Sequence, residues 1–209
     1  MLPRLETSSS EMEMERFSEL PDDSGDMRSL QDLPADSGES LPPELVQLKK
    51  QEYLYQEVKS GKLPLTDTRQ KGNYGEIAAD ISMQEKGYVR LSKDRVTDLD
   101  APGHEGIDGV YYCPGRKPPY IIADAKFNTA QLSDTKDGKQ MSFSWIDARL
   151  DQDVGKEKAD EIRMAMLDGD VDCYIIRIGK NDDVGSSPVY EKLNENGDVI
   201  ARGEDLIAS

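Results

Sequence analysis

The sequence predicts an α/β domain with a mixed central sheet flanked by helices, behind a disordered acidic N-terminal extension. Three observations lead there. From residue 43 onward, helix-period segments alternate with short β-type runs bounded by turn formers. Residues 1–42 are rich in Glu, Asp, Ser and Pro, with similar stretches at Asp23-Ser24-Gly25 and Asp36-Ser37-Gly38. Such sequence buries too little apolar surface to offset its ordering entropy. Finally, 209 residues suit one domain with an extension, or two small domains. The division expected is an acidic tail or linker over 1–42, a helix and connector over 43–68, and the main domain over 69–209.

Each element has a local reason. Pro42-Pro43-Glu44 opens a helix with Pro in its first turn. Leu45, Leu48, Tyr53 and Val58 mark its apolar positions, and it ends near Ser60-Gly61. Pro64 then forbids a continuous helix. The next helix is expected over Lys71–Gly87, with a rough stripe of Ile77, Ile81 and Met83 and a Gly87 stop. Tyr88–Leu91 reads as a short strand and 92–104 as a turn-rich loop. Two strands follow, Gly106–Tyr112 and Tyr120–Phe127, joined by the turn-forming Cys113–Pro119. Ser133–Gly138 is a polar loop. Lys139–Leu150 reads as a helix, with Met141, Trp145, Ile146 and Leu150 mostly on one face, and Gly155–Asp168 as another with a Gly169 stop. Asp172–Ile178 is apolar enough for a central strand, and Val189–Leu193 with Val199–Arg202 reads as a hairpin.

The chemistry concentrates in Gly106-Ile107-Asp108-Gly109 and Asp124-Ala125-Lys126. Side chains alternate along a strand, so Asp124 and Lys126 share a face. If the two strands pair, Asp108 comes beside them. Two carboxylates and one ammonium then converge, an arrangement that binds a hard divalent cation next to a positive charge. Glu76, on the preceding helix, supplies a third carboxylate. Oxygen-only ligands (Asp108, Asp124 and Glu76) favour Mg²⁺ or Mn²⁺. Gln140 and Ser142, at the start of the next helix, are placed to hydrogen-bond a phosphate or a metal-bound water. His104, the single histidine, is either a ligand or proton-transfer group or a plain loop residue, and Glu105 is a peripheral carboxylate. Each residue also has a plain structural reading. Asp108 could shape the turn between two glycines, Asp124 could pair only with Lys126, and Lys126 could be a solvated edge charge. Glu76 could be ordinary surface, and Trp145 core rather than a base-stacking platform.

The order of these pieces, helix with Glu, strand with Asp, strand with Asp-x-Lys, then helix, resembles the PD-(D/E)xK nuclease superfamily. That resemblance implies a restriction-endonuclease-like αβββαβ core with Glu76, Asp108, Asp124 and Lys126 as the catalytic set. Ile107-Asp108 stands where the signature has Pro-Asp. A narrower resemblance rests on Gly75-Glu76, Gly-Ile-Asp-Gly-Val-Tyr, Asp-Ala-Lys-Phe, Gly138-Lys139-Gln140-Met141-Ser142, Trp145-Ile146 and Arg149-Leu150. Over roughly residues 68–180 the chain looks like the PoNe-type nuclease domains of bacterial polymorphic toxins, carried by secreted interbacterial effectors. This implies a DNase toxin, made in a bacterial cytoplasm, delivered into a competing cell and neutralised by a cognate immunity protein. A housekeeping or defence nuclease acting on DNA or RNA, and a catalytically inactive binding module, remain as other readings.

Composition limits these readings. A net charge of −16 argues against passive nucleic-acid binding through a generally basic surface. Local basic groups are expected near the site from Arg116, Lys117, Lys126, Lys136, Lys139 and Arg149. Cys113 and Cys173 read as two free thiols rather than a disulfide, and no Cys/His cluster suggests structural zinc. No apolar run approaches the ~20 residues of a membrane span. Met1–Thr7 lacks the apolar core of a signal peptide.

Overall fold

The computed structural model describes residues 41–103 and 105–207. The acidic tail expected over 1–42 therefore falls almost wholly outside the described residues, as does His104. In chain order the elements are α1 (Pro43–Lys59), α2 (Thr68–Glu85), β1 (Val89–Arg90), β2 (Gly109–Tyr112), β3 (Tyr120–Phe127), β4 (Asp134–Thr135), β5 (Gly138–Lys139), α3 (Phe143–Val154), α4 (Lys156–Asp168), β6 (Val171–Ile178), β7 (Val189–Leu193) and β8 (Val199–Gly203). Six strands form one sheet in the order β1-β2-β3-β6-β7-β8, while β4 and β5 pair separately. Only β3 and β6 run parallel; the other neighbours are antiparallel.

Strand alternation sorts the core into two layers. Ile121, Ala123 and Ile176 face α1 and α2, meeting Tyr74, Ile77 and Met83. Ile122, Cys173 and Ile175 face α3 and α4, meeting Met141, Trp145, Ile146, Leu150 and Ile162. Strands β3 and β6 are covered on both faces, which is why they read as almost continuous apolar runs. The connection between them, through α3 and α4, supplies the layer that covers one face.

Several boundaries differ from the sequence reading, each for a local reason. Helix α2 starts at Thr68 because Asp67 caps it, accepting the Gln70 amide at 2.8 Å. Helix α3 starts at Phe143 and not at Lys139. Ser142 is its N-cap, and Met141 just before it has a left-handed φ of 67° that no helix tolerates. Lys139 instead belongs to the small β4–β5 hairpin inside what read as a polar loop. Strand β2 starts at Gly109, so Asp108 precedes it. The Asp108 carboxylate accepts the Ala125 amide of β3 at 2.8 Å, taking a place that a ladder carbonyl would otherwise hold. Trp145 is core, with the Arg149 guanidinium 4.2 Å from its ring centroid. Both cysteines are free thiols, and burial pushes Cys173 up to about 12.

A buried polar network joins the α1/α2 layer to the sheet. Asp80 of α2, 1% exposed, accepts from Arg90 of β1, from the Tyr111 hydroxyl of β2 at 2.5 Å and from Gln51 of α1 at 2.8 Å. Arg95 stands 3.7 Å from the same carboxylate and donates to Gln51 at 2.8 Å. Burying these charges is tolerable only because each is paired and hydrogen-bonded. Asp80→Ala is expected to leave Arg90 without its carboxylate and to cost about 3–5 kcal/mol. Urea denaturation of the variant checks this, and a loss below 1 kcal/mol would show that the network contributes little.

Candidate active site

The carboxyl ends of the parallel pair β3 and β6 carry the predicted residues. The β2–β3 register, Gly109 opposite Ala123, places Asp108 opposite Asp124. Asp108 is fixed on three sides. Its carboxylate takes the Ala125 amide, its carbonyl accepts from Arg90 at 2.7 Å, and the preceding Ile107 amide donates to Asp153 of α3 at 2.9 Å. Asp124 is 1% exposed. Its Oδ1 accepts from Gln140 Nε2 at 2.6 Å. Its Oδ2 has Lys126 Nζ at 2.6 Å, an ion pair lying outside hydrogen-bonding alignment, so this buried oxygen has no directed donor.

The electrostatics follow from burial and like charge. Burial, then the charges of Asp124 and Glu76, push the Asp108 carboxyl well above the ordinary carboxylate range, against the opposing pull of Lys126 and the Ala125 amide. Burial also pushes Asp124 up and Glu76 adds to it, while Lys126 and Arg177 pull it back. Glu76, on α2, is therefore close enough to act on both carboxyls. Burial and like charge together disfavour the ionised form of both carboxyls, and a divalent cation there would favour it. The donor set fits a hard cation: only oxygens, one of them buried without a directed donor. Among the described residues, however, no group of three or more His, Cys, Asp or Glu side chains is gathered as a ready metal cage. Asp108 and Asp124 form the core of the candidate cation site, and Glu76 stands around it.

The supporting residues divide. Gln140 reaches Asp124, although it precedes the helix and does not begin it. Its loop is braced by the β7–β8 turn: Phe143 donates to the Glu195 carbonyl at 2.9 Å, and a Cβ on Gly197 would come within 2.9 Å of the Gln140 carbonyl oxygen. Ser142 is occupied as the α3 cap, accepting from the Trp145 amide at 3.4 Å. Glu105 is exposed. Lys139 and Arg149 flank the Gln140 loop, bound to Asp198 and Asp137. Arg116 and Lys117 lie instead in the turn before Tyr120, at the other end of β3. Four residues at ~3.3 Å each separate Tyr120 from Asp124, so this basic turn is remote from the site.

Sequence reasoning passed over Asp80, Arg90, Arg177 and Glu191. The signal was present in two of them. Asp80 stands in Ile-Ala-Ala-Asp-Ile and Arg177 in Tyr-Ile-Ile-Arg-Ile, charges in apolar runs that must find partners when buried. Arg177 does so with both Glu191 oxygens, at 3.1 and 2.8 Å.

The chain matches no protein-family model, no curated protein and no solved structure. No helix among the described residues is long and apolar enough to cross a membrane.

Lys126→Met is expected to strand the buried Asp124 carboxylate and lower unfolding free energy by about 3–5 kcal/mol. The double variant Asp124→Leu/Lys126→Met removes both charges and should be less destabilised than the single one. Urea melts of the two proteins decide it, and a double variant weaker than Lys126→Met would contradict the pairing argument.

Proposed function

We propose that this protein is a divalent-metal-dependent endonuclease, acting on DNA through Asp108, Asp124, Lys126 and Glu76. One observation carries the reading. The Asp108 carboxylate, just before β2 and bound to the Ala125 amide, stands near Asp124 of β3 towards the carboxyl end of a parallel pair, with an ammonium 2.6 Å from Asp124 and the Glu76 carboxylate acting on both. Ligand sites in open α/β sheets lie outside the carboxyl ends of the strands, where strand order switches direction. The resemblance to the PD-(D/E)xK superfamily supports the reading, with α2, β1, β2 and β3 in that order before β6, although a β4–β5 hairpin and a second helix stand where the αβββαβ order has one helix.

Each residue has a role that its surroundings support. Asp108 and Asp124 would hold Mg²⁺ or Mn²⁺, and Glu76 would add a third carboxylate to them. A bound cation supplies charge neutralisation at the phosphate and an acidified water. Lys126 keeps a positive charge in the same corner, where it stabilises negative charge developing on the phosphate oxygens. Gln140 holds Oδ1 of Asp124 and so fixes the direction of the carboxylate. Arg90 holds the Asp108 backbone. The resemblance to PoNe-type toxin domains adds a biological role: delivery into a competing bacterium, with a cognate immunity protein protecting the producer.

Purified full-length protein incubated with plasmid DNA and with total RNA, in Mg²⁺ or in EDTA, tests the activity. The expected result is Mg²⁺-dependent loss of plasmid that falls at least a hundredfold in Asp124→Ala and in Lys126→Ala. RNA cleavage with intact plasmid would change the substrate and keep the site. No cleavage of either by folded protein would sink the enzyme reading. Expression in a bacterium without a protecting partner tests the role: growth arrest with DNA loss in wild type and normal growth of Asp124→Ala are expected. Normal growth of both would remove the toxin assignment.

A further inference from the structure

We infer that the groove between the 128–131 loop and β8 is a subsite for the phosphodiester backbone of a nucleic-acid strand, with Arg202 as its phosphate ligand. The inference rests on the nuclease reading for the identity of the ligand, and on separate residues for its position.

The groove begins two residues past Lys126 and has a volume of about 380 Å³. Its lining is Asn128, Thr129 and Gln131 from the loop, Arg177 of β6, Glu191 of β7, and Val199 and Arg202 of β8. Strand register ties it to the candidate active site. Lys126 pairs with Arg177, and Asp124 pairs with Ile175, which pairs with Glu191, which pairs with Arg202. Residues aligned across neighbouring strands share a face. The row therefore runs from Asp124 to Arg202 on the α3/α4 side of the sheet, over three strand spacings of ~4.8 Å. A strand lying across these ends and presenting a phosphate at Asp124 meets Arg202 with a neighbouring one.

The charges within the groove decide which group does the binding. Arg177 is 8% exposed and fully committed. It donates to both oxygens of Glu191 and, at 2.8 Å each, to the carbonyls of Asn128 and Ala130. It builds the wall and neutralises Glu191. Arg202 reaches the same Glu191 at 3.1 Å, but its side chain is 58% exposed. Glu191 is buried and already holds Arg177 through both oxygens, so Arg202, mostly in water, is the second and more weakly held of its cations. Two guanidiniums against one carboxylate leave one positive charge, and Arg202 is the group able to present it. Guanidinium geometry suits a phosphate. In a chain of net charge −16, long-range attraction cannot gather a polyanion, so a local cation of this kind is needed. The amides of Asn128 and Gln131 and the Thr129 hydroxyl add uncharged hydrogen-bonding groups suited to phosphate and sugar oxygens.

The test is equilibrium binding of fluorescent single-stranded 12-mers, one DNA and one RNA, to the full chain in EDTA, over a series of salt concentrations. Binding in EDTA separates the groove from metal-dependent chemistry. Arg202→Gln is expected to weaken binding about tenfold and to flatten the slope of log affinity against log salt by about 0.7, one phosphate contact on a single strand. Arg202→Lys should recover most of the affinity. Gln131→Glu, a negative charge added to the groove lining, should weaken binding by a similar factor. Both positions are exposed, and a thermal melt of each variant establishes that it is folded. The preferred 12-mer identifies the nucleic acid. Wild-type affinity and salt slope in Arg202→Gln would overturn the proposal, as would no measurable binding by wild type. If plasmid and RNA stay intact yet 12-mer binding depends on Arg202, the groove stands and the nuclease reading falls. If cleavage occurs and Arg202→Gln binds like wild type, the reverse holds.

Discussion

The pairing of Arg90 with Asp80 is the contact on which the site depends. Arg90 is the place where three parts of the chain meet. Its guanidinium binds the carboxylate of α2 on one side and the carbonyls of Ser92, Asp94 and Asp108 on the other. Asp80 lies one helical turn beyond Glu76, so the two carboxylates occupy the same face of α2. The pair therefore sets how near Glu76 stands to Asp108. A guanidinium is suited to this task because its planar fork serves several acceptors at fixed angles. Hydrophobic side chains could fill the same volume, but they could not hold a carbonyl.

The candidate site itself carries the opposite imbalance. Asp108, Asp124 and Glu76 bring three carboxyl groups to one corner, where burial and their mutual repulsion outweigh the pull of Lys126 and Arg177 on Asp124. A fold does not keep such a corner for stability, since neutral side chains would cost less there. Perturbed carboxyl groups of this kind concentrate at functional sites. The position points the same way, because the carboxyl ends of β3 and β6 lie beside the one parallel pairing in the sheet. Around it, the Gln140 loop, the β7–β8 turn and Arg177 act as supports. Each holds a residue of the site or a wall next to it.

Much of this was legible in the chain. Strands β3 and β6 and helix α4 were predictable to within a residue or so, the strands as short apolar runs and the helix from its period, each beside a glycine or proline boundary. The Asp124–Lys126 face followed from period-2 alternation alone, and the place of Asp108 from the expected pairing of the two strands. What escaped prediction depended on tertiary contact. Helix α3 could not be started correctly because Met141 leaves helical geometry to fill the core while Gln140 turns to Asp124. The β4–β5 hairpin has two residues per strand, too few to show a period. Arg116 and Lys117 looked close to the site in sequence, yet a strand's length separates them from it. Arg202 gave no signal, since its importance comes from strand order.

The most direct test of the account is metal binding without turnover. Mn²⁺ titrated into the full-length protein, followed by electron paramagnetic resonance of the free ion, counts sites and affinity. Saturable binding is expected, lost in Asp108→Asn and in Asp124→Asn, weakened in Glu76→Gln and unchanged in Glu105→Gln. Binding that survives both aspartate substitutions, or no binding by the wild-type chain, would contradict it.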